Sequence, residues 1–360
     1  MKIKIIIPGI IFFIVSLFII GATADDGYGP YAPQPITLEI PAGWPKPSTN
    51  IYANNKLTEQ GFQLGKKLFY DGRLSKDGEV SCASCHQQFA AFATFDHDLS
   101  HGVHNGFSTR NAPGLFNLAW MTEMHWDGGI NHIEVQPLFP ITAKNEMGET
   151  LDSVLIKIKK DTAYKRMFKS AFGDAAINSQ RMLKAIAQFT GTLVSANSKY
   201  DKVKRGEAVF SPFEEKGYML FKAKCASCHQ EPLFTDNSFR NNGLPLNRFS
   251  DIGRQRITQL SSDSLKFKVP SLRNAQLTFP YMHDGTVYSI PQVIEHYRTG
   301  IITGQPTLDP LLKDRIALSN LEKNQLVYFI YTLTDSSFTK NMRYTPAGNS
   351  VVTNPGFDKH

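Results

Sequence analysis

Cysteine is scarce in this chain, and the little there is falls in one place twice. The 360 residues hold four cysteines: Cys82, Cys85, Cys225 and Cys228. All four belong to a string, Cys-Ala-Ser-Cys-His-Gln, that stands at 82–87 and again at 225–230. None is left for a disulfide, a thiol nucleophile or a lipidated cysteine. A four-cysteine zinc site is excluded by spacing, because its pairs recur about 15–20 residues apart and these begin at Cys82 and Cys225. A thioredoxin-like redox pair has no need of a His directly after its second Cys, yet both copies carry one. Charge is also thin. No Lys/Arg-rich block exists, and part of the net +7 sits at Lys2 and Lys4, so nucleic acid is set aside as a partner. With 41% apolar and 20% charged residues the composition excludes a disordered chain and suits a folded one of two domains.

What is present twice is C-x-x-C-H, the signature of covalent c-type haem attachment. The two thiols of each copy add to the haem vinyl groups, and the following imidazole holds the iron from its proximal side. Cys82, Cys85 and His86 thus take one haem, and Cys225, Cys228 and His229 a second. Attachment of this kind happens outside the cytoplasm. Residues 1–24 agree: Lys2 and Lys4 precede an apolar run from Ile5 to Ile20, broken by Pro8-Gly9, and Ala22-Thr23-Ala24 offers a cleavage site. The run is short of the ~20 residues that span a bilayer. A periplasmic protein is expected, with anchoring by an uncleaved segment as the alternative.

Residues 25–56, rich in Pro, Gly and Tyr, read as an extended lead-in. Leu57 to Tyr70 is predicted helical, with Leu57, Leu64 and Leu68 on one side. Before the second motif, Ser211-Pro212-Phe213-Glu214 is a capping box with Pro at the first helical position. Leu68-Phe69 and Leu220-Phe221 precede the two motifs in the same way, which suggests a duplicated unit. Further helices are predicted at 151–158, from Asn178 to Leu193, from Ser289 through Tyr297, and from Leu321 to Leu333. The expected fold is mainly α with little strand: two cytochrome c-like haem domains, at 57–205 and 206–340, and a tail at 341–360. The turn-rich stretch from His97 to Met147 carries His97, His101, His104, His125 and His132. A long irregular segment in a compact domain is usually functional or disordered.

Together these motifs carry a resemblance. Two C-x-x-C-H strings, Trp126-Asp127-Gly128 between them, then Val269-Pro270-Ser271-Leu272-Arg273-Asn274 and Pro280-Tyr281-Met282-His283-Asp284-Gly285 resemble the bacterial diheme cytochrome c peroxidases and the related MauG-type enzymes over roughly 57–335. The resemblance implies that the first haem meets hydrogen peroxide. It carries the family's distal acid onto Glu146 and a pocket Gln onto Gln136, and makes Trp126 a relay between the haems. A carboxylate within hydrogen-bond reach of bound peroxide can shuttle a proton between its two oxygens. His101-Gly102 resembles the pair that supplies a distal ligand to the first iron at rest, and His104 competes with it. At the second haem the family's methionine position falls on Tyr297, as in MauG-type enzymes. The helix pattern agrees, because Tyr297 shares the face of Val293 and Ile294; Met282 is the nearest alternative. One calcium ion is implied between the haems, held by Asn111, Thr278 and Pro280, an oxygen set that suits it.

The function expected is that of a cytochrome c peroxidase-type oxidoreductase. It reduces hydrogen peroxide at the first haem with electrons relayed through the second from a small cytochrome c or cupredoxin. A MauG-like oxidation of a partner protein uses the same peroxide chemistry. A non-catalytic diheme electron carrier is the rival of another class; it has no use for Glu146. The peroxidases often dimerise, so a homodimer is a further possibility the resemblance raises.

Overall fold

A computed structural model describes residues 31–47, 52–95 and 97–346. The export segment at 1–24, the start of the lead-in and the end of the expected tail lie outside the described residues. No described helix is long and apolar enough to cross a membrane.

The chain is helical with almost no sheet. Its described helices are, in order, α1 (Glu59–Phe69), α2 (Cys82–Cys85), α3 (Leu138–Thr142), α4 (Leu151–Lys159), α5 (Thr162–Phe172), α6 (Ser179–Gly191), α7 (Lys199–Lys204), α8 (Pro212–Lys224), α9 (Gln255–Thr258), α10 (Ile290–Glu295), α11 (Asn320–Tyr331) and α12 (Ser336–Thr339). Two strands, β1 (Phe239–Arg240) and β2 (Phe267–Lys268), pair antiparallel with Phe239 opposite Lys268. Local chemistry sets the helix starts. Thr58 accepts a hydrogen bond from the Gly61 amide, so α1 begins two residues later than its apolar pattern. Asn178 caps α6 through the Arg181 amide. Ser211 with Glu214 and Ser319 with Glu322 close the expected capping boxes of α8 and α11.

Glycine sets how the long helices meet. A Cβ on Gly65 of α1 would lie 1.9 Å from the Ala185 carbonyl oxygen of α6. A Cβ on Gly217 of α8 would lie 2.0 Å from the Gln325 carbonyl oxygen of α11. Each haem motif is thus preceded by a helix whose backbone is pressed onto a later helix at a glycine.

Apolar burial follows the two halves, with one crossing. Leu64, Leu68, Ile141, Val154, Phe168 and Ile186 pack together in the first half. Tyr200, Phe221, Phe234, Ile294 and Phe329 pack together in the second. A further cluster around Phe69, Phe92, Trp120 and Phe189 also takes in Phe338 and Tyr344. Residues 341–346, expected to be tail, therefore return to the first half. Arg343 pairs with Glu59 at 2.7 Å, the Tyr70 hydroxyl donates to the Tyr344 carbonyl at 3.0 Å, and Gln88 donates to the Asn341 carbonyl. The lead-in is irregular as expected, but it is not free of packing. Trp44 meets Trp120 edge to face at 5.0 Å, and the Trp120 indole donates to the Pro45 carbonyl.

Candidate haem and peroxide site

Both C-x-x-C-H strings open onto one internal cavity of about 550 Å3, which Cys82, Cys85, His86, Cys225, Cys228 and His229 all line. No disulfide joins any of the four cysteines. The two imidazoles are oriented alike. His86 Nδ1 lies 2.8 Å from the Phe92 carbonyl oxygen, and His229 Nδ1 lies 3.1 Å from that of Phe234. A carbonyl only accepts, so each Nδ1 carries the proton and each Nε2 keeps its lone pair. Burial also pushes both imidazoles below the usual histidine range, so they stay neutral, as metal ligands must be. Phe92 and Phe234 stand at φ +59° and +57°; these left-handed positions turn each carbonyl back toward its imidazole. Thiols, lone pair and cavity fit a covalently attached haem at each motif.

Glu146, Gln136 and Trp126 line the same cavity beside the first motif. They come from different stretches. Gln136 precedes α3, and Glu146 follows it in the turn where its amide donates to the Ala143 carbonyl. Burial pushes the Glu146 carboxyl above the usual carboxylate range. His101 lines the cavity, with its ring 4.7 Å from that of Phe107, whereas the exposed His104 does not. Of the two competing histidines, both exposed, only His101 lines the cavity.

Tyr297 and Met282 both line the cavity on the side of the second motif. Tyr297 lies in a single π-helical turn, His296–Gly300, that continues α10; such turns are frequent at functional sites. Burial pushes its phenol up to about 12, with the Asn242 amide pulling the other way. A phenol held that high ionises at neutral pH only against a cation such as iron. His296 points elsewhere and bonds the Asn242 carbonyl at 2.9 Å. The Met282 sulfur lies 3.6 Å from the Asn242 amide nitrogen.

Trp126 is held by both halves of the chain. Its indole donates to the Asn111 carbonyl at 2.9 Å, and its own carbonyl accepts from the Lys268 amide at 2.7 Å. Asn111 is buried; its side-chain nitrogen donates to the Asp98 carbonyl at 3.2 Å. Among the described residues, the Asn111 amide oxygen and the Thr278 and Pro280 carbonyl oxygens accept no hydrogen bond. All three residues line the cavity, and unclaimed oxygens are what a calcium ion takes up.

The structure adds residues that sequence reasoning left unassigned. Arg110 bonds Asp127 at 2.6 Å and grips Asp251 through two nitrogens at 2.6 and 2.8 Å, tying the Trp126 loop to the second half. Lys268 lines the cavity, donates to the Glu123 carbonyl at 2.8 Å, and is pushed down to about 8 by burial. His125 lines it too. The histidine cluster was the only signal for His125; nothing local marks the other three.

Comparison with known proteins agrees with this geometry. The family described as di-haem cytochrome c peroxidase matches residues 59–209. Methylamine utilization protein MauG of Methylorubrum extorquens is 36% identical over 320 residues, which cover 87% of each chain. Cytochrome c551 peroxidase of Nitrosomonas europaea is 32% identical over 294 residues, 80% of this chain and 84% of that one. The crystal structure of a MauG-like protein associated with microbial copper homeostasis superposes with a TM-score of 0.79 at 31% identity, over 87% of this chain and 100% of the other. With two haem-attachment motifs facing one cavity, the chain belongs to the di-haem cytochrome c peroxidase and MauG family and carries two haem c groups.

Proposed function

We propose that this chain is a periplasmic peroxidase that reduces hydrogen peroxide to two waters in the part of the cavity beside His86. Two electrons come from a small cytochrome c or cupredoxin through the His229 side, and two protons come from solvent. The observation that carries this reading is Glu146, a carboxyl raised by burial and lining the same cavity as His86. Held by His86 and His229, the haems would supply redox-active iron. The protein residues supply the rest. Glu146 moves a proton from one peroxide oxygen to the other, so that the O–O bond breaks with water rather than hydroxide leaving. A carboxyl raised by burial suits both halves of that task, because it regains a proton more readily than an exposed carboxylate does. Gln136 orients the peroxide. Trp126, fixed by Asn111 and Lys268 from opposite sides, bridges the two haem sites. Asn111, Thr278 and Pro280 would hold calcium, which would fix the residue whose carbonyl accepts from the Trp126 indole.

One observation favours a second reading, the peroxide-driven oxidation of a partner protein. Tyr297 stands in its π-helical turn opposite the second attachment site. An anionic oxygen ligand stabilises oxidised iron, whereas a thioether raises its potential. A Tyr-ligated second haem accepts electrons less readily and holds an oxidising equivalent more readily, which suits protein oxidation. A purely electron-carrying diheme protein has no role for a buried acid over an open site. The deciding experiment is peroxide turnover by Glu146→Gln. Turnover should fall by about 10²–10⁴-fold with both haems still attached; a variant as fast as the parent removes Glu146 from the mechanism.

A further inference from the structure

His125 is a cavity residue that the mechanism above does not use. It lies in a tight loop that the Met124 amide closes by donating to the Ile130 carbonyl at 2.6 Å. Its backbone stands at φ +64°, a left-handed conformation that non-glycine residues seldom adopt. That conformation aims the imidazole into the cavity lined by His86, Gln136, Phe139 and Glu146. The ring meets Phe139 edge to face at 5.0 Å, and Phe139 belongs to α3, the helix lying between Gln136 and Glu146 in the chain. Among the described residues, neither ring nitrogen has a protein hydrogen-bond partner. Asp127, Lys268, Arg110 and His86 face it electrostatically. Burial, helped by the cations Lys268 and Arg110 and opposed by Asp127, brings the imidazole down to about 4. It is therefore neutral in working conditions and keeps a free lone pair.

An edge-to-face contact with one phenylalanine can be made by any aromatic side chain. A ring with two unclaimed nitrogens, held in a strained loop against α3 and lining the same cavity as Glu146, asks for another explanation. We propose that His125 is a second proton carrier of the first haem pocket, touching the small protic ligand that binds there. This rests on the reading that peroxide is taken up beside His86. As hydrogen peroxide binds, the imidazole accepts its proton and leaves hydroperoxide. The imidazolium, or Glu146 in its place, returns a proton to the far oxygen as the O–O bond breaks and water departs. The oxygen that remains leaves as the second water, with two electrons from the cytochrome-type donor and two protons from solvent. The pocket then has two proton carriers where one carboxyl was expected.

The test uses hydrogen cyanide on the ferric, haem-loaded full chain, because that ligand binds as cyanide only after losing its proton. Association is followed by stopped-flow absorbance in the parent, His125→Phe, His125→Gln and Glu146→Gln proteins. His125→Phe keeps the aromatic contact with Phe139, and His125→Gln keeps a polar side chain should the phenylalanine variant misfold. Both should bind hydrogen cyanide at least about tenfold more slowly, less than the ~10²–10⁴ of a sole acid–base group because Glu146 remains. The spectrum of the second haem should not change. Parent-like association in both His125 variants overturns the inference and leaves the peroxidase reading intact. If neither haem of the parent binds cyanide, the open-site reading and this inference fall together.

Discussion

Replacing Arg273 by Met should be among the most damaging single changes outside the cavity. The Arg273 side chain is wholly buried, and it bonds Asp201 through both terminal nitrogens at 2.9 and 2.8 Å. Its Nε donates to the Pro232 carbonyl at 2.8 Å, and the guanidinium lies 4.5 Å from the Trp44 ring. It thus joins the lead-in, the junction helix α7 and the loop after the second haem motif. Methionine replaces the apolar stem but leaves Asp201 buried without its counter-ion. Breaking a buried pair from one side costs about 3–5 kcal/mol. The low end applies here, since the Ser198 amide and hydroxyl still bond Asp201 at 2.8 and 2.7 Å. At ~2 °C per kcal/mol for a chain of this size, melting should fall by about 6 °C, followed by far-UV circular dichroism on the haem-loaded protein. The pH dependence fixes the cause. In the parent, burial raises Asp201, but the bonds and charge of Arg273 more than offset it, so its carboxyl lies below the usual range. A lowered carboxyl contributes stability that is present above its unfolded pKa and lost as pH falls through the folded one. In the variant only burial and the Ser198 bonds remain, so the stability gap between parent and variant should shrink on acidification through the carboxylate range. Replacing Asp201 by Asn as well should recover part of the loss. A gap under about 1 kcal/mol, or one that does not narrow in acid, would refute the reasoning.

Three further outcomes follow from the cavity. Because burial raises the Glu146 carboxyl, peroxide turnover should rise with pH through a midpoint above the ordinary carboxylate range, and that limb should vanish in Glu146→Gln; a limb that persists belongs to another group. Replacing Tyr297 by Met should raise the midpoint potential of the second haem in a spectroelectrochemical titration, and an unchanged potential would show that Tyr297 does not ligate the iron. Removing calcium with a chelator should alter Trp126 fluorescence and slow electron exchange between the haems, with recovery on adding calcium back; no change in either signal would sink the assignment of Asn111, Thr278 and Pro280.

The features legible in the sequence share a short reach. Haem attachment is written in five consecutive residues, and helix starts such as Ser211 with Glu214 are written in four, because a cap satisfies amides within a single turn. Glu146 and Tyr297 are singled out only by the family resemblance. Two signals misled for want of partners. Residues 341–346 have no periodicity of their own, yet Tyr344 is buried against Phe92 because the first half leaves an apolar face open. The lead-in likewise contributes Trp44 to a cluster built around Trp120 and Arg273.

By itself the sequence determined that two haems are attached, through which thiols and imidazoles, and that helices precede each one. It also made the two sites unequal, since Glu146 follows one motif and Tyr297 the other. Only the tertiary structure decided that both motifs face a single cavity, that His101 rather than His104 lines it, and that Trp126 is gripped from both halves. It alone brought Arg110 to Asp251 and His125 to the cavity that Glu146 lines. The physical reason is range. Covalent attachment and capping act between near neighbours in the chain, whereas a cavity is shaped by where long helices come to rest, and that depends on contacts such as Gly65 on Ala185 and Gly217 on Gln325.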